Sequence, residues 1–188
     1  DMFCDNHRGA CVAEVAVHFS GDIDVDEFAC LQNVLVWNAV RDDRGDADAG
    51  EHVADMKDKK TGIPVISLYG NHKKPTAEDF TGVDVLVFDI QDVGVRFYTY
   101  ISSLEYFLEA ALENHKPLII LDRPNPNGFY VDGPVLEKQF KSFIGMQPVP
   151  IVYGMTSGEY GLMLAGENML SAKANAINAY NITTQPTA

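Results

Sequence analysis

Residues 84–122 read DVLVFDIQDVGVRFYTYISSLEYFLEAALENHKPLIILD, and this stretch decides the fold. Asp84–Ile90 and Pro117–Asp122 are short, almost continuously apolar runs, the pattern of strands covered on both faces of a sheet. Between them, apolar residues recur at intervals of three and four, as on the buried face of a helix: Leu104, Phe107, Leu108, Ala111 and Leu112. A strand, a helix and a strand within about forty residues predict a βαβ unit with a right-handed crossover, and therefore a parallel α/β domain.

Capping signals predict where the helices begin and end. Ser102 and Glu105 have the spacing of a capping box, which predicts that the first helix begins there. The run His115-Lys116-Pro117 predicts its end, because cations suit the last turn of a helix and proline cannot continue it. Thr156 and Glu159 repeat the capping-box spacing and predict a second helix, with an apolar side formed by Tyr160, Met163 and Leu164.

The remaining segments are less regular. Ile63–Tyr69 is rich in β-branched residues and predicts a strand, with Pro64 near its start. Ala13–Phe19 and Val34–Trp37 are weaker strand candidates, and Glu27–Asn33 has the pattern of one or two helical turns. The tail from Ala172 is rich in alanine and asparagine and shows no core pattern.

Length and charge limit the possible functions. The chain has 188 residues, enough for one domain and few for two, so we expect one α/β domain over residues 1–170 and the start of a truncated C-terminal region over residues 171–188. Its net charge of −13 repels nucleic acid phosphates, and no apolar run approaches the about 18 residues of a membrane helix. The histidines are scattered and no nucleotide-binding glycine motif is present, so we predict no metal and no cofactor.

Carboxylates stand at the ends of the two apolar strands, and polar loops follow them. Because ligands of parallel sheets bind beyond the carboxyl ends of the strands, we expect these side chains to meet at one edge. After the first strand come Asp89, Gln91, Asp92, Arg96, Tyr98 and Tyr100, and after the second come Asp122, Arg123, Asn125 and Asn127.

This combination of groups suits a carbohydrate. Carboxylates accept hydrogen bonds from sugar hydroxyls, amides bridge pairs of hydroxyls, tyrosine rings pack on sugar faces, and arginine binds an anionic substituent. Glycoside hydrolysis commonly uses two carboxyl groups. We therefore predict a sugar-hydrolysing site in which Asp89, Asp92 and Asp122 supply the catalytic carboxyl groups. The predicted substrate contacts are Gln91, Arg96, Tyr98, Tyr100, Arg123, Asn125 and Asn127.

Structural roles are the alternative for each of these residues. An aspartate at a strand end often caps the next helix or fixes its loop. Arg96 lies four residues after Asp92 and could simply pair with it. Tyr98 and Tyr100 could be packing residues. The argument for a site rests on the convergence of these residues at one predicted edge.

Longer blocks around these residues resemble the signature blocks of the bacterial exo-β-N-acetylmuramidases. The resemblance extends over about residues 44–170, and its blocks are Arg44–Gly50, Asp84–Tyr100, Leu121–Gly128, Gly133–Leu136 and Gly154–Thr156 with Glu159. It implies a Rossmann-like N-terminal domain, normally followed by a smaller domain that completes a cleft. It also implies release of terminal N-acetylmuramic acid from peptidoglycan fragments, in an exported or periplasmic setting. The lactyl carboxylate of that sugar would suit Arg96 or Arg123.

The chain departs from the family upstream of residue 44. The family has a Pro-Glu-His-Gly-Phe run there, whose glutamate is the leading catalytic candidate, and Val40 stands at its position here. Either residues 1–43 have diverged and activity has been lost, or the sequence recorded for residues 1–43 is in error. A non-catalytic muropeptide-binding module with the same fold is therefore the alternative function.

Overall fold

The computed structural model describes residues 16–19, 34–38, 56–57, 64–68, 72–178 and 182–183. Val40, the block Arg44–Gly50 and the helical candidate Glu27–Asn33 lie outside the described residues. The strands are β1 (Ala16–Phe19), β2 (Val34–Asn38), β3 (Met56–Lys57), β4 (Pro64–Val65), β5 (Val85–Asp89), β6 (Leu118–Leu121) and β7 (Ile182–Thr183). The α-helices are α1 (Tyr100–Glu113), α2 (Ser157–Gly166) and α3 (Ala172–Asn178), and a short 3₁₀ helix spans Lys138–Phe140.

A five-stranded sheet in the order β2-β5-β6-β1-β7 forms the centre of the fold. Its middle is parallel: β2 pairs with β5 and β5 with β6, with Val87 beside Val36 and Ile119. Strands β1 and β7 add to the β6 side in antiparallel orientation. The predicted βαβ unit is confirmed as β5–α1–β6, and the α/β class with a Rossmann-like parallel core and flanking helices is confirmed with it.

Helix α1 covers one face of the sheet with the predicted apolar stripe. All five stripe residues are at most 5% exposed, and Phe107 packs against Phe88 of β5 with a 6.2 Å ring separation. The predicted start of this helix is wrong. It begins at Tyr100 after Thr99, so Ser102 and Glu105 lie inside it and both are buried. The apolar face extends back to Ile101, which is 2% exposed, and burial of that residue favours the earlier start.

The predicted capping box of α2 is confirmed. Thr156 accepts from the Glu159 N–H at 3.2 Å, and the Glu159 side chain accepts from the Thr156 N–H at 2.9 Å. Tyr160 and Leu164 are buried in the core as predicted, and Met163 packs against it. This firm start fixes the position of α2 at the carboxyl-end edge of the sheet, directly beside the candidate site.

The tail contains a helix that its composition does not predict. Helix α3 packs on α1, and Ala174 is completely buried there. Ser171 caps it, since the Ser171 hydroxyl accepts from the Ala174 N–H at 3.3 Å and donates to Glu113 at 2.9 Å. Lys74 joins the same group by bonding Glu109 and Glu113, each at 2.8 Å. A small residue at the contact lets the two helices approach closely, so alanine forms the core here in place of a large apolar side chain.

The upstream strand candidates are confirmed only in part. The two weaker ones correspond to β1 and β2. Ile63–Tyr69 is shorter than predicted: β4 covers Pro64–Val65 only, residues 66–68 are not in a strand, and β4 pairs with β3 outside the main sheet. The boundary proposed at residue 170 stays a prediction.

Candidate active site

Strands β5 and β6 are parallel neighbours, so they bring their following loops to the same edge of the sheet. We call residues 90–98 the β5 loop and residues 122–130 the β6 loop. A third segment, residues 149–153, lies between the β5 loop and the residues that follow the β6 loop, because Val152 forms bridges with both Val95 and Asp132. The predicted site residues are therefore gathered at one edge, as their strand-end positions indicated.

Amide side chains hold the two loops together. The Asn127 amide donates to the Val93 carbonyl at 2.7 Å, and the Gln91 amide donates to the Pro124 carbonyl at 3.3 Å. Asn125 donates to the Met155 carbonyl at 2.8 Å and accepts from the Asn127 N–H at 2.8 Å. Gly94 packs directly on the Asn125 amide at a φ of +80°. The amides predicted to bind sugar hydroxyls thus donate hydrogen bonds to backbone carbonyls, and these bonds fix the two loops relative to each other.

Arginines also have partners within the protein. Arg123 forms an ion pair with Asp89, whose side chain is 22% exposed, while the Arg123 side chain is 39% exposed. Arg96 donates to the carbonyls of Pro134, at 2.9 Å, and Val149. The alternative in which Arg96 simply pairs with Asp92 is therefore wrong. Arg123 is the arginine that keeps a substantial exposed surface beside a carboxylate of the site.

Asp122 is bonded through both of its oxygens. Its Oδ2 accepts from the Thr156 hydroxyl at 2.6 Å, and its Oδ1 accepts from the Gly158 N–H at 2.9 Å and from its own neighbour, the Arg123 N–H, at 3.1 Å. Thr156 and Gly158 are the cap and second residue of α2, where a negative charge also opposes the positive end of the helix dipole. Asp122 therefore anchors the start of α2 to the end of β6.

Asp92 is buried and only half of its carboxyl group is bonded. It is 6% exposed, and its Oδ2 accepts from the Tyr153 hydroxyl and, at 2.6 Å, from the Gly94 N–H. Its Oδ1 is buried without a hydrogen-bond partner among the described residues. Burial raises the pKa of Asp92, while the bonds from Tyr153 and Gly94 and the nearby N–H of Val93 act in the opposite direction.

Aromatic side chains border the same edge. Tyr98 is exposed and meets Tyr100 edge to face at 5.0 Å, while Tyr100 packs partly against the core. The rings of Phe129 and Tyr130 lie 4.7 Å apart, and Phe129 is 83% exposed. Composition and spacing did not single out this second pair or Tyr153. Tyr153 lies 61 residues from Asp92 in the chain, and only the folded structure brings the two together.

Comparison with known proteins decides the family. Residues 41–186 match the family model described as exo-beta-N-acetylmuramidase NamZ, N-terminal. The chain belongs to this family. It is 50% identical over 135 residues to the peptidoglycan beta-N-acetylmuramidase NamZ of Bacillus subtilis (strain 168), a match that covers 71% of this chain and 33% of that protein.

Solved structures support the α/β fold. Two crystal structures of DUF1343 family proteins from Bacteroides fragilis NCTC 9343 are similar to this chain. One is 45% identical with a TM-score of 0.58, over 68% of this chain and 33% of its own. The other is 44% identical with a TM-score of 0.63, over 76% of this chain and 35% of its own. The chain thus spans about a third of the length of these relatives.

The family assignment supports the predicted enzyme class at the level of the family, which is one of muramidase-type glycosidases that act on peptidoglycan. Val40 lies one residue before the range that the family model matches. Among the residues that the structure describes, no three His, Cys, Asp or Glu side chains converge as metal ligands would. None of the described helices is long and apolar enough to span a bilayer.

Proposed function

We propose that this chain forms, at the carboxyl ends of its strands, a glycosidase site that releases terminal N-acetylmuramic acid from peptidoglycan fragments. The main support is the hydrogen bonding between the β5 and β6 loops. It holds three carboxyl groups at one edge of a domain that belongs to the muramidase family. Glycosidases need two carboxyl groups on either side of the scissile bond, and this edge offers candidates for them.

The three carboxyl groups differ in how much capacity they keep for a substrate. Asp122 has hydrogen bonds at both oxygens, and Asp89 is paired with Arg123. Asp92 keeps one oxygen without a partner among the described residues. We therefore propose Asp92 as the carboxyl group nearest to the chemistry, and Asp122 as the group that fixes the helix beside it.

Arg123 and the exposed aromatic rings suit the rest of the sugar. Arg123 has exposed donors beside Asp89 and would bind the lactyl carboxylate that distinguishes N-acetylmuramic acid from N-acetylglucosamine. Tyr98, Phe129 and Tyr130 offer apolar faces for sugar rings at the same edge. Such fragments occur outside the cytoplasmic membrane, so an exported or periplasmic location is part of the proposal.

The alternative is a non-catalytic module that binds muropeptides through the same edge. Val40 favours it, because a valine there supplies no carboxyl group where the resemblance expects a glutamate. The structural bonding of Asp122 and Asp89 favours it as well. Binding and turnover therefore have to be measured separately.

Two substrates and one binding assay distinguish these functions. The 188-residue chain is incubated with the 4-nitrophenyl β-glycoside of N-acetylmuramic acid and, as a matched control, with that of N-acetylglucosamine, and nitrophenol release is followed. Binding of both free sugars is measured by calorimetry. We expect release and binding with the muramic acid compounds only, since the control lacks the lactyl carboxylate.

Saturable binding of N-acetylmuramic acid without release of nitrophenol would establish the binding module instead. Equal binding and equal release with both sugars would contradict the proposal that Arg123 recognises the lactyl carboxylate. Failure to bind either sugar at millimolar concentration would reject both functions for this chain.

A further inference from the structure

Two buried carboxyl groups of the described chain each have one oxygen without a hydrogen-bond partner. They are Asp92, at the edge of the sheet, and Glu105, in the second turn of α1. A buried polar atom without a partner costs about 1–3 kcal/mol and calls for an explanation. Because the two groups share this feature but differ in position, each serves as a control for the other.

The bonding of Asp92 determines which oxygen carries a proton. Oδ2 already accepts two donors, the Tyr153 hydroxyl and the Gly94 N–H, so its lone pairs are used. Tyr153 is the donor in this pair, because its hydroxyl hydrogen has no other acceptor among the described residues. A proton on the carboxyl group must therefore reside on Oδ1, where it has no internal acceptor.

The surroundings of Asp92 raise its pKa above the ordinary aspartate value. Burial is the largest influence and raises the pKa of Asp92. The titratable groups beside it are Tyr153 and Tyr160, and burial raises the pKa of both hydroxyls, so neither carries charge at working pH. A carboxyl group kept neutral in a dry setting is the arrangement that glycosidases use for a general acid.

Glu105 has a similar half-bonded carboxyl group but lies away from the two loops of the candidate site. It is 1% exposed, and its Oε1 accepts from the Gln147 amide at 2.7 Å. The same amide donates to the Met169 carbonyl, which places the group inside the contact between α1 and the segment before α3. Asp92 instead lies three residues beyond the end of β5, in the β5 loop of the site, where a substrate has to displace the atoms that cover Oδ1 in order to reach it.

We propose that Asp92 is the proton donor of this site, acting from Oδ1, and that Tyr153 is the positioning residue that reserves Oδ2 for hydrogen bonding. This inference rests on the proposed glycosidase function. In the reaction, the Oδ1 proton moves to the glycosidic oxygen as the bond from that oxygen to C1 breaks, and the alcohol leaves neutral. Water adds its oxygen to C1, and the proton it loses restores the acid form of Asp92.

A pair of substrates with different leaving groups tests the donor. Nitrophenol leaves with little help from an acid, whereas the sugar alcohol of the disaccharide N-acetylmuramyl-β-1,4-N-acetylglucosamine needs a proton. For Asp92→Asn we expect disaccharide hydrolysis to fall by about 10²–10⁴-fold, the range for general acids, and nitrophenyl glycoside hydrolysis to fall far less. Glu105→Gln, the matched control, should change both rates equally. Equal losses on both substrates for Asp92→Asn, or no loss, would overturn the proposal.

Tyr153→Phe tests positioning without removing the carboxyl group. The Tyr153 hydroxyl favours ionised Asp92, so its loss should raise the pKa of Asp92 and move the alkaline limb of the pH–rate profile to higher pH. A purely structural tyrosine would lower the melting temperature and leave that limb unchanged, which would also contradict the proposal.

One measurement does not depend on turnover. The carboxyl carbon of Asp92 is titrated by NMR in the unmodified chain and in Tyr153→Phe. We expect a pKa above the ordinary aspartate value in the first and a higher one in the second. If the chain hydrolyses neither substrate, the proposed function fails, while the titration still shows whether Asp92 holds its proton as the inference requires. An ordinary aspartate pKa at Asp92 would overturn the inference by itself.

Discussion

The β5 and β6 loops occupy equivalent positions after neighbouring parallel strands, yet they use their carboxyl groups differently. In the β6 loop, Asp122 bonds the start of α2 through both oxygens. In the β5 loop, Asp92 bonds through one oxygen and leaves the other buried and unpartnered. The same residue type at the same edge thus anchors a helix in one loop and keeps one oxygen without a hydrogen bond among the described residues in the other.

This difference shows that position at a strand end locates a site but does not assign roles within it. Asp122 is satisfied because α2 begins next to it and supplies donors, a hydroxyl and a backbone N–H. The donors near Asp92, from Tyr153 and Gly94, converge on one oxygen only. The two carboxylates therefore differ in how the donors from neighbouring segments are distributed over their oxygens.

The largest effect is expected from Asp122→Ala. The substitution removes the partners of the Thr156 hydroxyl and the Gly158 N–H, and hydrogen bonds to a charged group contribute about 1.5–3 kcal/mol each. We expect the free energy of unfolding to fall by about 3–4 kcal/mol, measured by urea denaturation. Asp122→Asn, which keeps an acceptor for one of the donors, should lose about half as much.

A loss of less than 1 kcal/mol in the free energy of unfolding of Asp122→Ala would contradict the proposed difference between the β5 and β6 loops. The carboxylate would then not be needed to anchor α2, and it would rejoin Asp92 as a candidate for the chemistry. In that case, the two loops would have equivalent roles.

Glu105→Gln should have the next largest effect, and the effect depends on pH. Burial, only partly opposed by the Gln147 bond and by Lys141, raises the pKa of Glu105 from 4.5 to about 7. The folded protein then binds a proton more tightly than the unfolded chain. Stability is therefore full below pH 4.5 and falls as the pH rises to about 7, by roughly 3 kcal/mol.

Stability is measured by urea denaturation between pH 4 and 8. In Glu105→Gln this decrease in the free energy of unfolding should be absent, so at pH 8 the variant should be more stable than the unmodified protein. Other titrating groups cancel in the difference between the two proteins. A difference that does not change with pH would show that Glu105 ionises normally. Burial with one unpartnered oxygen would then not be enough to raise a carboxyl pKa in this domain, which would weaken the argument for Asp92.

Sequence pattern predicted the parts of the fold that rest on periodicity. The apolar runs of β5 and β6 and the apolar stripe of α1 could be predicted because buried positions are occupied by apolar residue types. The capping box at Ser102 and Glu105 misled because that motif is also compatible with the interior of a buried helix. Helix α3 was missed because Ala174 makes its core contact with one methyl group.

The site was predicted as a location, not as a set of roles. Asp89, Asp92 and Asp122 reach one edge because their strands are parallel neighbours, which the sequence indicates. Which donors each carboxylate meets depends on segments far along the chain, such as Tyr153, 61 residues after Asp92. Local spacing carries no information on contacts at that distance. The alternative in which Arg96 pairs with Asp92 relied on such spacing, and Arg96 bonds the carbonyls of Pro134 and Val149 instead.

Gly94→Ala tests how closely the two loops are joined, and its expected effect is the smallest. A Cβ at Gly94 would overlap the Asn125 amide, and its φ of +80° is strained for any other residue. Gly82 is the matched control, because its φ is +73° but nothing lies within 4 Å of an added Cβ. We expect losses of about 2 kcal/mol for Gly94→Ala and about 1 kcal/mol for Gly82→Ala, where only strain contributes. Equal losses would mean that the Asn125 amide moves freely, and that the β5 and β6 loops hold their carboxylates independently of each other.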